Sequence, residues 1–493
     1  MMVKEKRQIT FFHIIMPVIA LVVIILFGLV VQPLWLTPGT SMPLELIFLL
    51  ASIVSVSMLF YLRYSWSEIQ TAMVEKIKSG LPSIFILFSI GILIGSWVIS
   101  GTIPMMIYYG IYLIVPSMIY LVGFIVPGIF SIMTGTSWGS VGTIGVVLFG
   151  IGELIDANMP LLAGAIVAGA YFGDKMSPLS DTTNVASMAT GVDIYQHIRS
   201  MLYTTGPSAI IAAILYFVMG FVFPPAITDI GVNADIETTI RSLNEIFHFN
   251  ILLLIPPIIV LYGAIRKKPT APVIILSSVV AAILGVTVQQ FSLDSLVATL
   301  INGFNVDMVT WVSDVPDNII RLLTRGGLYQ LISAITICIM AFIFIGTLDI
   351  TNSLSIVVNR ITRFLKTRSQ TIIAALFSTS VVNALTSNQF ATSFIIAGAY
   401  ESKFAEKKIP KKVLSRTIED GGTMIENVIP WTTTGVFMST TLGISVLTYA
   451  PWQFLVWINF IVAIVLAITG KGCFYHEIDE TDEKSKMDVV TVK

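Results

Sequence analysis

Apolar runs long enough to cross a lipid bilayer recur along almost the whole chain, and they limit the fold more than any other feature. The hydrocarbon core of a bilayer is about 30 Å thick, so a spanning helix needs about 20 apolar residues. Backbone groups in lipid must form their hydrogen bonds internally, which leaves helices and closed barrels. The alternating pattern of barrel strands does not occur in this sequence. The chain is therefore predicted to be an all-α polytopic membrane protein.

Composition supports this class and excludes several others. Of the 493 residues, 55% are hydrophobic and 12% are charged, whereas soluble domains carry about 25% charged residues. The net charge of −1 gives no basic field for nucleic acid, so no nucleic-acid partner is expected. Cys338 and Cys473 are the two cysteines. They allow neither a disulfide framework nor a zinc site.

The lengths of the apolar runs predict ten full crossings and two hairpins. The crossings are 10–32, 43–63, 82–101, 159–190, 201–225, 249–264, 271–291, 328–349, 417–446 and 451–470. The stretches 113–155 and 371–401 are too long for one straight span, and each has a polar middle. Each is predicted to enter and leave the membrane on the same side. Such a re-entrant bend is tolerated where protein buries it or where it lines a cavity.

Lysine and arginine predict which ends of the spans face the cytoplasm. Basic clusters lie at Lys4–Arg7, Arg63–Lys78, Arg266–Lys268, Arg360–Arg368 and Lys403–Lys412. The segments 226–248 and 292–326 are rich in acidic residues and are predicted to lie outside. Both termini are then cytoplasmic. The first apolar run has no cleavage site after it, which favours an uncleaved anchor over a signal peptide.

Polar motifs recur at a constant offset of 252 residues. The offset places Thr136 on Asn388 in the two hairpins, and Asp174 on Glu426 in two later crossings. The first half starts inside and the second half starts outside, which predicts an inverted repeat, a common plan of secondary transporters. The predicted units are N-terminal spans 1–81, a first repeat 82–225, linking helices and external loops 226–327, a second repeat 328–470 and a cytoplasmic tail 471–493.

The predicted crossing 159–190 carries charges that need an explanation. Asp174, Lys175 and Asp181 lie within it, and each charge at the bilayer centre costs about 2.5–3.5 kcal/mol. Pro178 removes a backbone donor and predicts a broken helix here. Broken helices expose carbonyls and half-helix ends, where transporters bind ions. Lys175 is interpreted either as a structural counter-charge or as a transport residue.

Hard oxygen donors dominate both motifs, which favours a sodium ion over a transition metal. A buried carboxylate also binds a proton, because burial favours its neutral form. A site that takes either ion in turn gives antiport by competition. The predicted sodium ligands are Asp174, Asp181 and Thr136. The full set of predicted ion- or substrate-binding residues adds Ser177, Ser180, Asn184, Ser137, Thr386, Ser387, Asn388, Glu426, Asn427 and Thr432.

The counterpart motif in the second half is also interrupted by glycine and proline. Glu426 and Asn427 are placed near the middle of the membrane. Glu419 and Asp420 lie closer to the basic segment Lys411–Arg416 and are expected to pair there. Glu426 and Asn427 are therefore interpreted as part of an ion site, whereas Glu419 and Asp420 are not.

Three pieces of the sequence resemble the NhaC family of sodium/proton antiporters. They are Thr134–Gly139, Gly173–Asn184 and the run Glu426-Asn427 followed by Pro430-Trp431. The resemblance covers nearly the whole chain and implies a bacterial inner-membrane antiporter of the ion-transporter superfamily. It implies paired re-entrant hairpins in an inverted repeat, elevator motion, sodium and protons as transported species, and no cofactor. A homodimer is common among similar proteins.

Two other classes of function remain open. Some members of the resembled family move an organic acid such as malate or lactate, or an amino acid. The core motifs contain no arginine, the usual clamp for a carboxylate, although half-helix N-termini favour anions. Sodium/proton exchange is preferred, and organic-acid or amino-acid exchange comes second. A channel or a membrane enzyme comes last, since no pore ring or nucleophile–base pair is evident; no enzymatic activity is expected.

Overall fold

The computed structural model describes residues 6–37, 40–227, 234–266, 268–312, 315–475 and 477. This part of the chain is helical and contains no strand. Lys4 and Lys267 of the basic clusters, and Asp229 and Asp314 of the acidic segments, lie outside the described residues. So does most of the predicted tail 471–493.

Nine helices in the described ranges are long and apolar enough to cross a bilayer. They are Phe11–Leu36, Leu44–Tyr61, Trp66–Ile99, Pro116–Thr134, Ser137–Leu154, Ile194–Val222, Thr270–Thr287, Leu328–Asp349 and Arg368–Thr386. Two further pairs of helices are long and apolar enough to cross a bilayer only when each pair is counted as one span. Glu237–Ile246 and Ile251–Ile265 meet at a bend of 97°, and Val446–Trp452 and Phe454–Thr469 meet at a bend of 58°. The prediction of an all-α membrane protein with about ten spanning helices is confirmed.

One spanning helix begins much earlier than its apolar run indicates. The predicted crossing 82–101 is the end of the Trp66–Ile99 helix, which has 34 residues. Ser65 starts this helix by a reciprocal cap, in which the Glu68 amide donates to Ser65 Oγ at 3.3 Å and the Ser65 amide donates to Glu68 Oε2 at 2.8 Å. At about 1.5 Å per residue the helix is about 51 Å long, which exceeds the hydrocarbon thickness.

Both predicted hairpins have two helical arms separated by a short break. Hairpin 1 consists of Ile119–Thr134 and Ser137–Leu154, and hairpin 2 consists of Arg368–Thr386 and Gln389–Glu406. The arms contact each other in both hairpins. One left-handed residue reverses the chain in each tip, Gly135 with φ of 69° and Ser387 with φ of 50°. A glycine suits this conformation, whereas a serine adopts it at a steric cost.

Two later crossings are interrupted, as their prolines indicate. Broken helix 1 consists of Met159–Met176 and Asp181–Thr190. Broken helix 2 consists of Lys411–Gly421, Thr423–Glu426 and Thr433–Leu442, and it begins earlier than the predicted crossing 417–446. Pro178 and Pro430 lie in the non-helical breaks. These breaks leave backbone groups free near the middle of each element.

The offset of 252 residues aligns the ends of these helices. It maps Ser137–Leu154 onto Gln389–Glu406 and Asp181–Thr190 onto Thr433–Leu442 at both ends. Agreement of helix boundaries supports a duplicated unit far better than the sparse sequence identity does. The inversion of the two halves relative to the membrane remains a prediction, and so do the domain boundaries.

Glycines let hairpin 1 approach broken helix 1 closely. A Cβ atom on Gly169 would lie 2.0 Å from the Phe124 carbonyl oxygen, and one on Gly173 would lie 2.2 Å from the Gly128 carbonyl oxygen. The two backbones are therefore in direct contact, as small residues permit between membrane helices. This contact places Asp174, the residue after Gly173, beside the tip of hairpin 1.

A second group of helices packs around the long Trp66–Ile99 helix. Leu328–Asp349 and Thr270–Thr287 lie against it, and Leu44–Tyr61 packs on the first of these. The broken helices, the hairpins and the Ile194–Val222 and Phe454–Thr469 helices form the other group. The remaining helices of eight or more residues are Thr102–Leu113, Leu293–Asn302 and Ser353–Thr362.

Candidate functional site

The tips of both hairpins and the breaks of both broken helices line one cavity of about 580 Å³. The structure brings nine of the predicted site residues to this cavity: Thr136, Ser137, Asp174, Ser180, Asp181, Asn184, Ser387, Asn388 and Glu426. Residues from four separate stretches of sequence thus meet in one place. The internal repeat explains this convergence, because each half supplies one hairpin tip and one helix break.

Asp174 lies in the last turn of the Met159–Met176 helix and is buried. The Ser137 hydroxyl donates a hydrogen bond to its Oδ2 atom at 2.7 Å. The backbone amide of Ser137 and the hydroxyl of Ser180 also interact with this carboxylate. Ser137 is the first residue of a helix, where the free amides favour a negative charge. Asp174 is therefore held by donors that stabilise its ionised form.

Thr136 and Ser180 are the N-caps of the helices that follow them. Thr136 Oγ1 accepts from the Gly139 amide at 3.2 Å, and Ser180 Oγ accepts from the Thr183 amide at 3.4 Å. A hydroxyl oxygen has two lone pairs. Thr136 Oγ1 thus keeps one lone pair for a cation while it caps its helix, whereas Ser180 Oγ also shares a hydrogen bond with Thr182 Oγ1 at 3.1 Å.

Asp181 is the first residue of the Asp181–Thr190 helix and is exposed to the cavity. Asn184 stabilises the break before it, since its amide nitrogen donates to the carbonyls of Pro178 at 2.9 Å and Ser180 at 2.7 Å. The break therefore presents a charged oxygen to the cavity from a fixed backbone.

Glu426 is the counterpart of Asp174 on the other side of the cavity and is also buried. The Thr434 hydroxyl donates to its Oε1 atom at 2.8 Å, and the Asn383 side chain also interacts with it. At the tip of hairpin 2, Asn388 Oδ1 accepts from the Ala391 amide at 3.0 Å. The second half thus repeats the arrangement of a buried carboxylate beside a capped hairpin arm.

Tyr171 connects the two halves and was missed by sequence reasoning. Its buried hydroxyl lies close to the hydroxyls of Ser137 and Thr434 and to the carboxylates of Asp174 and Glu426. No sequence pattern marks this tyrosine, because an aromatic residue in an apolar helix is ordinarily part of the core.

Three other residues that line the cavity were also missed, and two of them had a usable signal. The offset places Ser137 on Gln389 and Thr182 on Thr434, and both partners line the cavity. Lys268, from the loop before the Thr270–Thr287 helix, also lines it. Nothing in the sequence brings this loop near the motifs.

Four predicted residues do not reach the cavity: Ser177, Thr386, Asn427 and Thr432. Ser177 Oγ donates to the Ile132 carbonyl at 2.8 Å, and Thr432 Oγ1 donates to the Glu426 carbonyl at 2.6 Å. Thr386 shares a hydrogen bond with another threonine of hairpin 2, and the Asn427 amide donates to a carbonyl of its own break. These side chains hold the breaks together, and a role as ion ligands remains a prediction.

A buried ionic cluster lies behind the cavity. Lys175 is fully buried and donates to Asp420 Oδ1, which also accepts from Thr204 Oγ1 at 3.1 Å and from Asn459 Nδ2 at 2.9 Å. The expected pairing of Asp420 with Lys411–Arg416 is therefore wrong. Lys175 pairs with a carboxylate that is distant in sequence, which favours its interpretation as a structural counter-charge.

Glu419, next to this pair, has no such partner. It is fully buried, and no donor from the described residues forms a hydrogen bond with either of its carboxylate oxygens. The expected pairing with the basic segment is wrong here as well, because the described part of the chain contains no ion pair to Glu419.

The donor set around the cavity suits a hard monovalent cation. In the described ranges no group of three or more histidine, cysteine, aspartate or glutamate side chains could hold a metal ion. The cavity offers separate carboxylates among hydroxyl and amide oxygens instead. Such oxygens bind hard cations, and a single carboxylate balances one positive charge.

The chain is similar in sequence to known membrane transporters. A model of the Na⁺/H⁺ antiporter family matches residues 169–471. A Haemophilus influenzae protein named as an uncharacterized Na⁺/H⁺ antiporter is 40% identical over 432 residues, which are 88% of this chain and 92% of that protein. A malate-2H⁺/Na⁺-lactate antiporter of Bacillus subtilis is 33% identical over 93% of this chain and 96% of its own. The Na⁺/H⁺ antiporter NhaC of Alkalihalophilus pseudofirmus is 33% identical over 95% of this chain and 97% of its own.

Proposed function

The chain belongs to the Na⁺/H⁺ antiporter family and exchanges sodium ions for protons across the membrane that it spans; we propose that the exchange takes place in the cavity between the two hairpins. The observation that carries this proposal is the meeting of Asp174, Asp181 and Glu426 with hydroxyl and amide oxygens in one cavity. These residues come from both halves of the chain, so a relative movement of the halves changes the site.

Sodium and protons compete for the same carboxylates in this mechanism. Asp174, Asp181 and Thr136 supply oxygen ligands to sodium, and Ser137 and Ser180 support Asp174. When sodium leaves, Asp174 takes a proton, and the Ser137 hydroxyl turns from donor to acceptor because it has both capacities. Glu426 and Asn388 complete the site from the second half. Each turn of the cycle thus carries sodium one way and protons the other way.

Proteoliposomes with a trapped pH-sensitive dye test this proposal. A sodium gradient imposed on wild-type vesicles should drive proton movement without any organic solute. Asp181→Asn removes the charge and keeps the shape, so proton movement should stop although the protein elutes as a folded species. Normal exchange by this variant would remove Asp181 from the site.

A second candidate function is coupled movement of a small organic acid or amino acid. The observation that favours it is the size of the cavity, about 580 Å³, since a water-sized particle needs about 30 Å³. A related protein carries the name of a malate-2H⁺/Na⁺-lactate antiporter. The same vesicles separate the two functions, because an organic-acid exchanger moves protons only after malate, lactate or an amino acid is added.

The proposal includes an orientation in a bacterial inner membrane with both termini in the cytoplasm. Basic clusters at span ends support it through the distribution of lysine and arginine. Single cysteines introduced near Lys411 and near Asp294 should react with an impermeant maleimide on the inner and the outer side, respectively. Homodimer formation remains a prediction.

A further inference from the structure

Glu419 is a fully buried acid without an ion pair among the described residues. The Thr423 hydroxyl interacts with it, but neither carboxylate oxygen has a hydrogen-bond partner of good geometry in the described part of the chain. A buried carboxylate without hydrogen bonds or a counter-ion is strongly unfavourable. A carboxyl group with its proton attached avoids that cost and gains a donor.

Charge balance in the cluster leads to the same result. Lys175 is the cation that faces Glu419, and it is already paired with Asp420. Asp420 is the better partner, because Thr204 and Asn459 also donate to it. One buried cation cannot neutralise two buried carboxylates. Glu419 is therefore the member of the cluster that carries a proton.

The elements packed around Glu419 offer no further cation to it. Asp174 faces it from the Met159–Met176 helix, and Asp181 on the next helix faces the cavity. On the Ile194–Val222 helix, a ring nitrogen of His197 is hydrogen-bonded to Ser415 at 2.8 Å. Arg416, one turn before Glu419, donates to the Gly472 carbonyl at 2.8 Å.

The other neighbouring helices carry their charges towards their ends, where several have partners other than Glu419. In hairpin 2, Arg368 begins the first arm and packs over the Tyr475 ring, and Glu401, Lys403 and Glu406 lie towards the end of the second arm. The Phe454–Thr469 helix has no charged residue.

We propose that Glu419 is a second proton-binding site, behind the cavity and separate from the sodium ligands. The proposal rests on sodium/proton exchange in the cavity. Where Asp174 is already ionised before sodium binds, the bound ion adds one positive charge, which stabilises an ionised Glu419 through a poorly screened interaction. The O–H bond of the Glu419 carboxyl then breaks, its electron pair stays on the carboxylate, and the proton leaves to solvent. Sodium that binds to an ionised Asp174 thus displaces one proton from Glu419, and the titration is made at a pH at which Asp174→Asn and wild-type protein differ in sodium binding but Asp174 itself releases no proton.

Proton release at equilibrium tests this proposal without requiring transport. The purified full-length protein is titrated with sodium chloride in weakly buffered detergent solution, with a dye that reports released protons and radioactive sodium that reports bound ions. Wild-type protein should release protons as sodium binds. Glu419→Gln replaces the acid with a neutral amide of the same shape, so the number of protons released per bound sodium should fall by one.

The proton release and sodium binding of the Glu419 variants support or overturn the second proton site. Glu419→Gln that binds sodium and releases as many protons as wild type overturns it. A folded variant that binds no sodium also overturns it, because Glu419 would then belong to the sodium site. If Glu419→Gln does not fold, Glu419→Asp keeps a titratable acid and should shift the pH at which proton release is half complete; an unchanged pH overturns the proposal.

Two further variants, Glu406→Gln and Asp174→Asn, serve as controls for the titration. Glu406→Gln is the matched control, since Glu406 is half exposed and paired with Lys403 and Lys407 at the surface; its proton release should equal that of wild type. Asp174→Asn should bind sodium at least about tenfold more weakly than wild type. Wild-type protein that binds no sodium would overturn exchange in the cavity itself, whereas an unaffected Glu419→Gln would overturn only the second proton site.

Discussion

Ser180 and Thr432 begin two ten-residue helices in the same way, although 252 residues separate them. Each hydroxyl oxygen accepts a hydrogen bond from the amide three residues later, at 3.4 Å and 3.0 Å. Both helices also end alike, at Gly191 and Gly443 in the left-handed conformation. Helices that start, run and end alike in both halves indicate one duplicated unit, so each copy is expected to contribute its own residues to the site.

Asp174→Asn should weaken apparent sodium affinity by about tenfold or more. The charged oxygen is lost while the side-chain shape remains, and hydrogen bonds or ligands to charged groups contribute about 1.5–3 kcal/mol. Sodium-dependent proton movement in proteoliposomes gives the affinity. Ser137→Ala removes only the donor at 2.7 Å and should have a smaller effect. An Asp174→Asn protein with wild-type sodium dependence would contradict the proposed site.

Thr136→Ala should lower both sodium affinity and stability, because one hydroxyl serves as ligand and as helix cap. Loss of an N-cap costs about 0.5–2 kcal/mol. Thr136→Asn separates the two roles, since asparagine is the cap at the equivalent Asn388. This variant should keep wild-type thermal stability. Maximal exchange rate should change less than affinity in Thr136→Ala, and an unchanged affinity would contradict a ligand role.

The fold and the position of the breaks could be predicted from local features of the sequence. Polar residues such as Thr136 and Asn388 interrupt apolar runs whose length is fixed by the bilayer, and Pro178 interrupts a helix by its own chemistry. These effects depend on neighbouring residues alone. The same offset that connects Thr136 with Asn388 also predicts that both breaks belong to one site.

Pairing across the fold could not be predicted in this way. Asp420 is four residues from Arg416 in sequence, yet its partner is Lys175, 245 residues away. Tyr171 reaches both carboxylates because broken helix 1 packs against hairpin 1 and against broken helix 2. Such contacts depend on how the helices pack. The internal repeat does not predict them either, because the offset aligns Lys175 with the uncharged Asn427 and so gives no second lysine in the other half.

Lys175→Met should destabilise the protein by about 3–5 kcal/mol, because it leaves Asp420 buried without its counter-charge. Combination with Asp420→Asn removes both charges and should recover most of the loss. Thermal unfolding followed by tryptophan fluorescence gives the comparison. Lys76→Met is the control, since its partner Asp349 is 48% exposed and such pairs contribute at most about 1 kcal/mol. A double variant no more stable than Lys175→Met would contradict charge pairing as the cause.

Gly169→Ala should impair exchange although the residue touches no ion. The new Cβ atom would lie 2.0 Å from the Phe124 carbonyl oxygen, so hairpin 1 must move away from broken helix 1, at a cost of about 1–3 kcal/mol. That movement separates Ser137 from Asp174 and should reduce sodium affinity as well as stability. Gly206→Ala is the matched control: nothing lies within 4 Å of its added Cβ, and alanine favours helix by about 1 kcal/mol. If both variants exchange sodium like wild type, close backbone contact is not what positions Asp174.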